Sequence, residues 1–286
     1  MTVRFDQISI MGVGLLGGAV GLAAKKAGVA NRVAGYCRRP EAARAAVEAG
    51  AVDECHTDAS KVAAGSELVV LCTGPETVPQ IAAEIAEGLS EAAIVTDVAS
   101  VKSRVVAGCT EALGKKARFV GSHPLAGSEK RGVENAAEFS LSGAVCVVTP
   151  TRSTDAVALE TVREFWAALG LEVLELSPEE HDARLARTSH LPHMVAAALC
   201  ALLKPGDEPF CATGFRDATR VATGDPAMWT EIALANREAL AAELYRLAKR
   251  LQGAADLLTA ADRDAFRKFL ESGSEPRSEL MGRGQA

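Results

Sequence analysis

Through the first two-thirds of the chain, short apolar runs alternate with stretches of helical spacing. "QISIM" (7–11) ends in glycines, and "LLGGAVGLAAKKAG" follows it with helical periodicity, stopping at Gly28. "RVAGYC" then reads as a strand and "PEAARAAVEAG" as a helix, with proline first and glycine after. The alternation continues with "ELVVLCT" and "ETVPQIAAEIAEGL", then "AAIVTDV" and "VKSRVVAGCTEALG". "RFVGS" and "AVCVVTP" are further strands, and the amphipathic "DAVALETVREFWAALG" delivers the chain to "LEVLELS". Strands spaced by helices of about 10–15 residues predict right-handed βαβ units and a mostly parallel sheet.

After Ser177 the strand signal stops. "PEEHDARLARTSH", "PHMVAAALCALL" and "DPAMWTEIALANREALAAELYRLAKRLQGAADLL" carry helical periodicity only. The pattern divides the chain into an α/β domain over 1–177 and an all-α domain over 178–271. The polar, glycine-rich tail over 272–286 is expected to be disordered.

Composition narrows the partners. The net charge is −6, and no basic run exceeds the pairs Lys25-Lys26, Arg38-Arg39 and Lys115-Lys116. Nucleic acid and anionic membranes are therefore excluded as main partners. No apolar run reaches the ~20 residues a bilayer span needs. The seven cysteines stand singly with no CxxC pair, the pattern of reduced thiols. "MTVRFDQISIMG" enters a strand at once, so no signal peptide and a cytoplasmic location are expected.

"GVGLLG" places Gly12, Gly14 and Gly17 in G-x-G-x-x-G spacing. The spacing alone is weak, but here it joins the first strand to the first helix, the context a dinucleotide requires. Gly12, Gly14, Leu15, Leu16 and Gly17 would face the pyrophosphate, with Thr73 at the end of a neighbouring strand. An NAD site would place Asp or Glu at the end of the second strand; this chain has Cys37, Arg38 and Arg39. With no carboxylate there to repel a 2′-phosphate, NADP is preferred over NAD.

Substrate groups should come from the later strand ends. "TDVASVKS" offers Ser100 and Lys102, and "GSHPLAGSEKRG" offers His123 and Glu129. His123 suits a general base, because its ordinary pKa lies near working pH. "HLPH" puts two histidines three apart, but no third ligand stands at helical spacing, so no metal is expected.

These segments, with "EEHDARLARTSHLPH" and "GFRDATRVATGDPAMW", resemble the prephenate/arogenate dehydrogenases of tyrosine biosynthesis over about residues 7–250. The resemblance implies a Rossmann domain followed by a helical dimerisation domain, and a homodimer joined through the latter. It implies oxidative decarboxylation of prephenate to 4-hydroxyphenylpyruvate, or of arogenate to tyrosine, with NAD or NADP; prephenate is the preferred substrate. It assigns His123 as the base for the ring hydroxyl, with Ser100 hydrogen-bonding near it. Arg220 would hold a substrate carboxylate, for which the side-chain carboxylate is preferred. Arg216 stands where some relatives carry lysine. Glu129, Ser189, His190 and His193 would line or gate the pocket, and Met228 and Trp229 are read as core or dimer contacts.

Two other readings compete. A hydroxyacid or pyrroline-carboxylate reductase would share the first half but not the histidine-proline segment. A dinucleotide sensor without catalysis would not keep Ser100, His123, Glu129, His193 and Arg220 together.

Overall fold

The computed structural model describes residues 3–115, 117–128 and 130–283, the last three by backbone alone. The strands are β1 (Phe5–Met11), β2 (Ala30–Tyr36), β3 (Glu54–His56), β4 (Leu68–Leu71), β5 (Ile94–Asp97), β6 (Arg118–Pro124), β7 (Val145–Thr149) and β8 (Glu172–Glu175). They form one sheet in the order β3-β2-β1-β4-β5-β6-β7-β8, parallel throughout except where β7 runs antiparallel to β6. The continuous apolar runs reflect burial on both sides: every residue of β4 and β5 is buried.

The helices are α1 (Leu15–Ala27), α2 (Pro40–Glu48), α3 (Ala59–Ala63), α4 (Thr77–Ile85), α5 (Ser103–Leu113) and α6 (Ala156–Ala168). They are followed by α7 (Pro178–Leu185), α8 (Leu191–Ala201), α9 (Thr213–Thr219), α10 (Pro226–Ala235), α11 (Arg237–Thr259) and α12 (Arg263–Arg283). Two apolar layers cover the sheet. One gathers Ile8, Ile10, Val20, Phe165 and Trp166. The other gathers Leu71, Ile81, Ile85, Val105 and Leu113.

The chain forms two compact units, Met1–Arg237 and Glu238–Ala286. Within the first, α7 is tied to the α/β part. Asp182 accepts hydrogen bonds from the backbone N–H of Lys102 at 2.7 Å and of Ser103 at 2.9 Å. In the tail, where disorder was expected, 272–283 continue α12. Asp262 starts this helix by accepting from Ala265 N–H, and Arg267 pairs with Asp264 and Glu271 along it. These local terms outweigh Gly273 and Pro276; residues 284–286 lie outside the described set.

Candidate active site

The dinucleotide loop has the geometry its glycines demand. Gly12 has φ +101°, and a Cβ there would lie 2.9 Å from both Cys72 O and Thr73 Cγ2. A Cβ on Gly17 would lie 2.2 Å from Gly12 O, so only glycine lets α1 pack this close to β1. A Cβ on Gly14, by contrast, meets nothing within 4 Å. That space opens at the N-cap of α1, which carries no side-chain cap and no acidic residue in its first turn. The first N–H groups of the helix, from Leu15 onward, are left for an anion. Thr73 Oγ1, beside this loop, is buried without a hydrogen-bond partner among the described residues. The cradle fits a pyrophosphate.

At the end of β2, Cys37 is buried while Arg38 and Arg39 are exposed. The neighbouring Cys55 thiol hydrogen-bonds to Cys37 and draws its pKa down to about 7, against the opposing effect of burial. Neither arginine forms an ion pair among the described residues, so both guanidiniums face solvent where the adenosine ribose would sit.

His123 lies one residue from the end of β6, and a buried polar lattice fixes that strand end. Ser122 Oγ donates to Asp97 O at 2.5 Å and accepts from Trp166 Nε1 at 3.0 Å. Asp97 takes the Ser122 N–H at 3.1 Å and pairs with Lys102, which also donates to Ser122 O at 2.7 Å. Lys102 and Asp97 are both fully buried. Each remaining proton and lone pair in the lattice is nearly accounted for, which a buried ion pair requires.

The His123 ring is packed by protein but keeps an accessible edge. Its Nδ1 lies 2.9 Å from His181 Nε2, and His181 Nδ1 lies 2.9 Å from Asp182 Oδ1. Its Nε2 has no hydrogen-bond partner among the described residues. Burial holds the His123 pKa well below 6.5, and the neighbouring His181, Lys102 and His190 push the same way. The ring is neutral at physiological pH. Asp182 stays ionised: burial would raise its pKa, but the hydrogen bonds from His181, Ser103 and Lys102 outweigh that and lower it.

The second wall comes from 186–193. Pro192 offers no N–H and crowds the carbonyl four residues back, and the chain widens into a π turn over Ala186–His190. The turn carries Ser189, which is partly exposed, and His190, which is fully buried. His190 Nδ1 accepts from Asn236 Nδ2 at 3.1 Å, so its proton sits on Nε2. Burial lowers the His190 pKa to about 4 and also lowers that of His193. His193 stacks on Trp229 with centroids 3.6 Å apart and planes at 11°. His190 Nε2 and His193 Nδ1 are buried without partners among the described residues, two polar atoms that suit a polar ligand. Trp229 packs against the second apolar layer as a core contact and also stacks on His193, whereas Met228 is exposed.

Ser100 follows β5 in the loop before α5. It makes no hydrogen bond to His123 among the described residues; the Nδ1 side of that ring faces His181. Arg216 on α9 turns back to donate to Cys211 O at 2.9 Å. Arg220 follows α9 in a short turn packed against α8 and is exposed. A four-residue spacing would set these two arginines on one face of an unbroken α-helix, but α9 ends at Thr219 and Arg220 opens the short turn. Glu129 lies outside the described residues.

Sequence reasoning gave no role to His181, Asp182 or Asp97, although "EEHDARLARTSHLPH" and "TDVASVKS" contain them. A local signal for the first two was "SPEEHD", where Ser177 and Glu180 form a capping box and Pro178 opens α7. That box fixes where α7 begins, and so where the His181–Asp182 pair projects.

A glycine cradle for pyrophosphate and a neutral, part-buried histidine beyond the carboxyl ends of the strands define a nicotinamide-dinucleotide oxidoreductase. Comparison with known proteins narrows the class. Residues 20–175 match the prephenate dehydrogenase nucleotide-binding domain, and residues 177–272 match the prephenate dehydrogenase dimerization domain. The chain belongs to the prephenate dehydrogenase family. The prephenate dehydrogenase of Bacillus subtilis is 36% identical over 240 residues, covering 82% of this chain and 65% of that enzyme, so the chain spans just under two thirds of its length. The Aquifex aeolicus prephenate dehydrogenase, solved with hydroxyphenyl propionate and NAD+, superposes with a TM-score of 0.90 at 32% identity, covering 98% of this chain and all of that one. The Synechocystis arogenate dehydrogenase superposes at 0.81 with 31% identity, covering 96% and 99%.

Proposed function

We propose that this protein converts prephenate to 4-hydroxyphenylpyruvate and CO2, with His123 Nε2 as the base and a nicotinamide dinucleotide as hydride acceptor. The observation that carries this reading is the uncharged His123 ring, with an unoccupied nitrogen on its accessible edge at the sheet's carboxyl end. A base must be neutral and reachable, and this ring is both.

The cradle of Gly12, Gly14, Leu15, Leu16 and Gly17 would hold the pyrophosphate, with Thr73 beside it. A dinucleotide held there would supply a hydride acceptor for the ring carbon that bears the hydroxyl. His123 Nε2 receives the hydroxyl proton as that carbon is oxidised. The carboxylate on the opposite ring carbon leaves as CO2, its bonding electrons pass into the ring, and the phenolate so formed regains the proton from His123. Aromatisation supplies the driving force, so the protein's work is to orient, move one proton and exclude water. The His193–Trp229 stack forms an apolar wall for the ring. Arg220 holds the side-chain carboxylate, assisted by Arg216, Ser189 and His193 line the pocket, and Glu129 is assigned the gating role. Ser100 contacts the substrate hydroxyl rather than His123.

Prephenate is favoured over arogenate because the buried carboxylates nearest His123 are committed. Asp97 serves Lys102 and Ser122, and Asp182 serves Lys102, Ser103 and His181, leaving neither for an ammonium. NADP is favoured over NAD by the exposed Arg38 and Arg39. Functionally, 1–177 binds dinucleotide while 178–271 completes the substrate site and joins two chains into a homodimer. The exposed Leu199, Leu202 and Leu203 around the end of α8 support that face. Among the described residues no helix is long and apolar enough to cross a membrane, and the cytoplasm is the location we assign.

Initial rates at 340 nm with prephenate or arogenate, each paired with NAD or NADP, test the reading. The expected outcome is fastest turnover with prephenate and NADP, and a rise of about tenfold or more in KM for NADP, not NAD, in an Arg38→Ala/Arg39→Ala variant. A preference for NAD in the unaltered protein would refute the cofactor assignment. Absence of turnover in all four pairings, from folded protein that binds dinucleotide, would refute the activity.

A further inference from the structure

We propose that His181, anchored by Asp182, is a positioning residue that fixes the tautomer of His123 and so decides which of its nitrogens can take a proton. The proposal deepens the reading of His123 as the base.

The argument is an accounting of protons along two hydrogen bonds. Asp182 is ionised and acceptor-only. Its Oδ1 takes the Lys102 N–H at 2.7 Å and its Oδ2 the Ser103 N–H at 2.9 Å, so the carboxylate is locked across the start of α5. His181 Nδ1, at 2.9 Å from Oδ1, must therefore carry a proton. His181 is neutral, since burial lowers its pKa, and its Nε2 is then a bare lone pair. That lone pair lies 2.9 Å from His123 Nδ1, which in turn must be the protonated nitrogen of its ring. His123 is left with Nε2 bare on its accessible edge. The opposite assignment would set a lone pair on His181 Nδ1 against a buried carboxylate. His181 is fully buried and Asp182 is 6% exposed, so water cannot relieve that clash.

The same chain of bonds serves the charged state. When His123 gains a proton, its Nδ1–H still points to His181, and the Asp182 charge lies two hydrogen bonds away with a polarisable ring between. The other groups facing the ring oppose protonation or are neutral: Lys102 ahead of α5, His190 on the π turn, and the Cys146 thiol on β7. Asp182 is thus the anion best placed to offset the positive charge through His123 Nδ1.

Nitrogen-15 spectroscopy of histidine-labelled protein reads the tautomer directly, with the His123 signals assigned by their loss in a His123→Asn variant. The proposal expects Nδ1–H on His123 in the unaltered protein. In Asp182→Leu no acceptor holds the proton on His181 Nδ1, so His123 should show a mixture of Nδ1–H and Nε2–H. With it, kcat should fall by about tenfold or more while KM for substrate and dinucleotide stay within about threefold. His181→Gln, whose carbonyl can still accept from His123 Nδ1–H, should keep the Nδ1–H tautomer and retain most activity, whereas His181→Leu should lose both. That pair carries the test if Asp182→Leu does not fold. Nε2–H on His123 in the unaltered protein, an unchanged tautomer in Asp182→Leu, or equal losses in His181→Gln and His181→Leu would each overturn it. The tautomer is measured without turnover, so failure of the proposed activity leaves this test intact.

Discussion

Acidification should destabilise this protein before its carboxylates titrate, and His190 shows why. The ring is fully buried, its Nδ1 is held by Asn236, and burial lowers its pKa from 6.5 to about 4. A histidine with a lowered folded pKa favours folding above its unfolded pKa, and that contribution is lost as pH falls toward the folded value. Between pH 6.5 and 4 the unfolded chain binds a proton that the folded chain refuses. At pH 5 the unfolded state is favoured by a factor of about 30 through this one site, or about 2 kcal/mol, rising to about 3 kcal/mol near pH 4. His123, His181 and His193 are lowered as well and act in the same direction over the same window. Asp182 and Asp53, whose pKa values are also lowered, contribute loss only at more acidic pH. Urea unfolding at pH 7.5, 6.5, 5.5 and 5 measures the effect. The expected result is a midpoint that falls steadily below pH 6.5, with a shallower fall in His190→Asn, which can still accept from Asn236. Stability that is flat or rising from pH 7 to 5, or a His190→Asn slope equal to that of the unaltered protein, would refute the reasoning.

Two further perturbations separate folding from binding. Gly14→Ala meets open space and should leave the unfolding midpoint unchanged while weakening dinucleotide binding about tenfold or more, whereas Gly17→Ala, 2.2 Å from Gly12 O, should damage both; fluorescence titration beside thermal melts reads the difference. Lys102→Met strands Asp97 as a buried, unpaired charge and should cost about 3–5 kcal/mol, measured by urea unfolding.

β4 and β5 were legible because they lie between two covered faces and therefore read as continuous buried runs, whereas β8, largely exposed, was legible from its place after the amphipathic α6. β3 escaped because three residues, Glu54–His56, carry too little pattern. The glycine loop was legible because its conformation is dictated locally, by φ +101° at Gly12 and by the close packing of Gly17. His123 announced itself through the proline and glycines around it. Its partner did not, since the bond from His123 to His181 spans 58 residues and depends on where α7 lands. Lys102 misled in a different way: in "TDVASVKS" it reads as a substrate group at a strand end, but it is fully buried and committed to Asp97 and Ser122 O. The four-residue spacing of Arg216 and Arg220 suits one face of an unbroken α-helix, whereas α9 gives way to a tighter turn at Arg220, a change the sequence does not signal. In the tail, composition spoke for disorder while capping by Asp262 and i,i+4 ion pairing favoured helix, and the local terms prevailed.

The central claim is that a neutral His123 is the proton acceptor, and the pH dependence of kcat/KM for prephenate tests it most directly. With the ring's pKa held well below 6.5 by burial, the base is already free at mildly acidic pH. The account predicts a rate that stays level down through pH 6, falls only on a limb well below 6.5, and is reduced by about 100-fold or more without that limb in His123→Asn. A limb at or above 6.5, or a His123→Asn protein that keeps the rate and profile of the unaltered one, would contradict it.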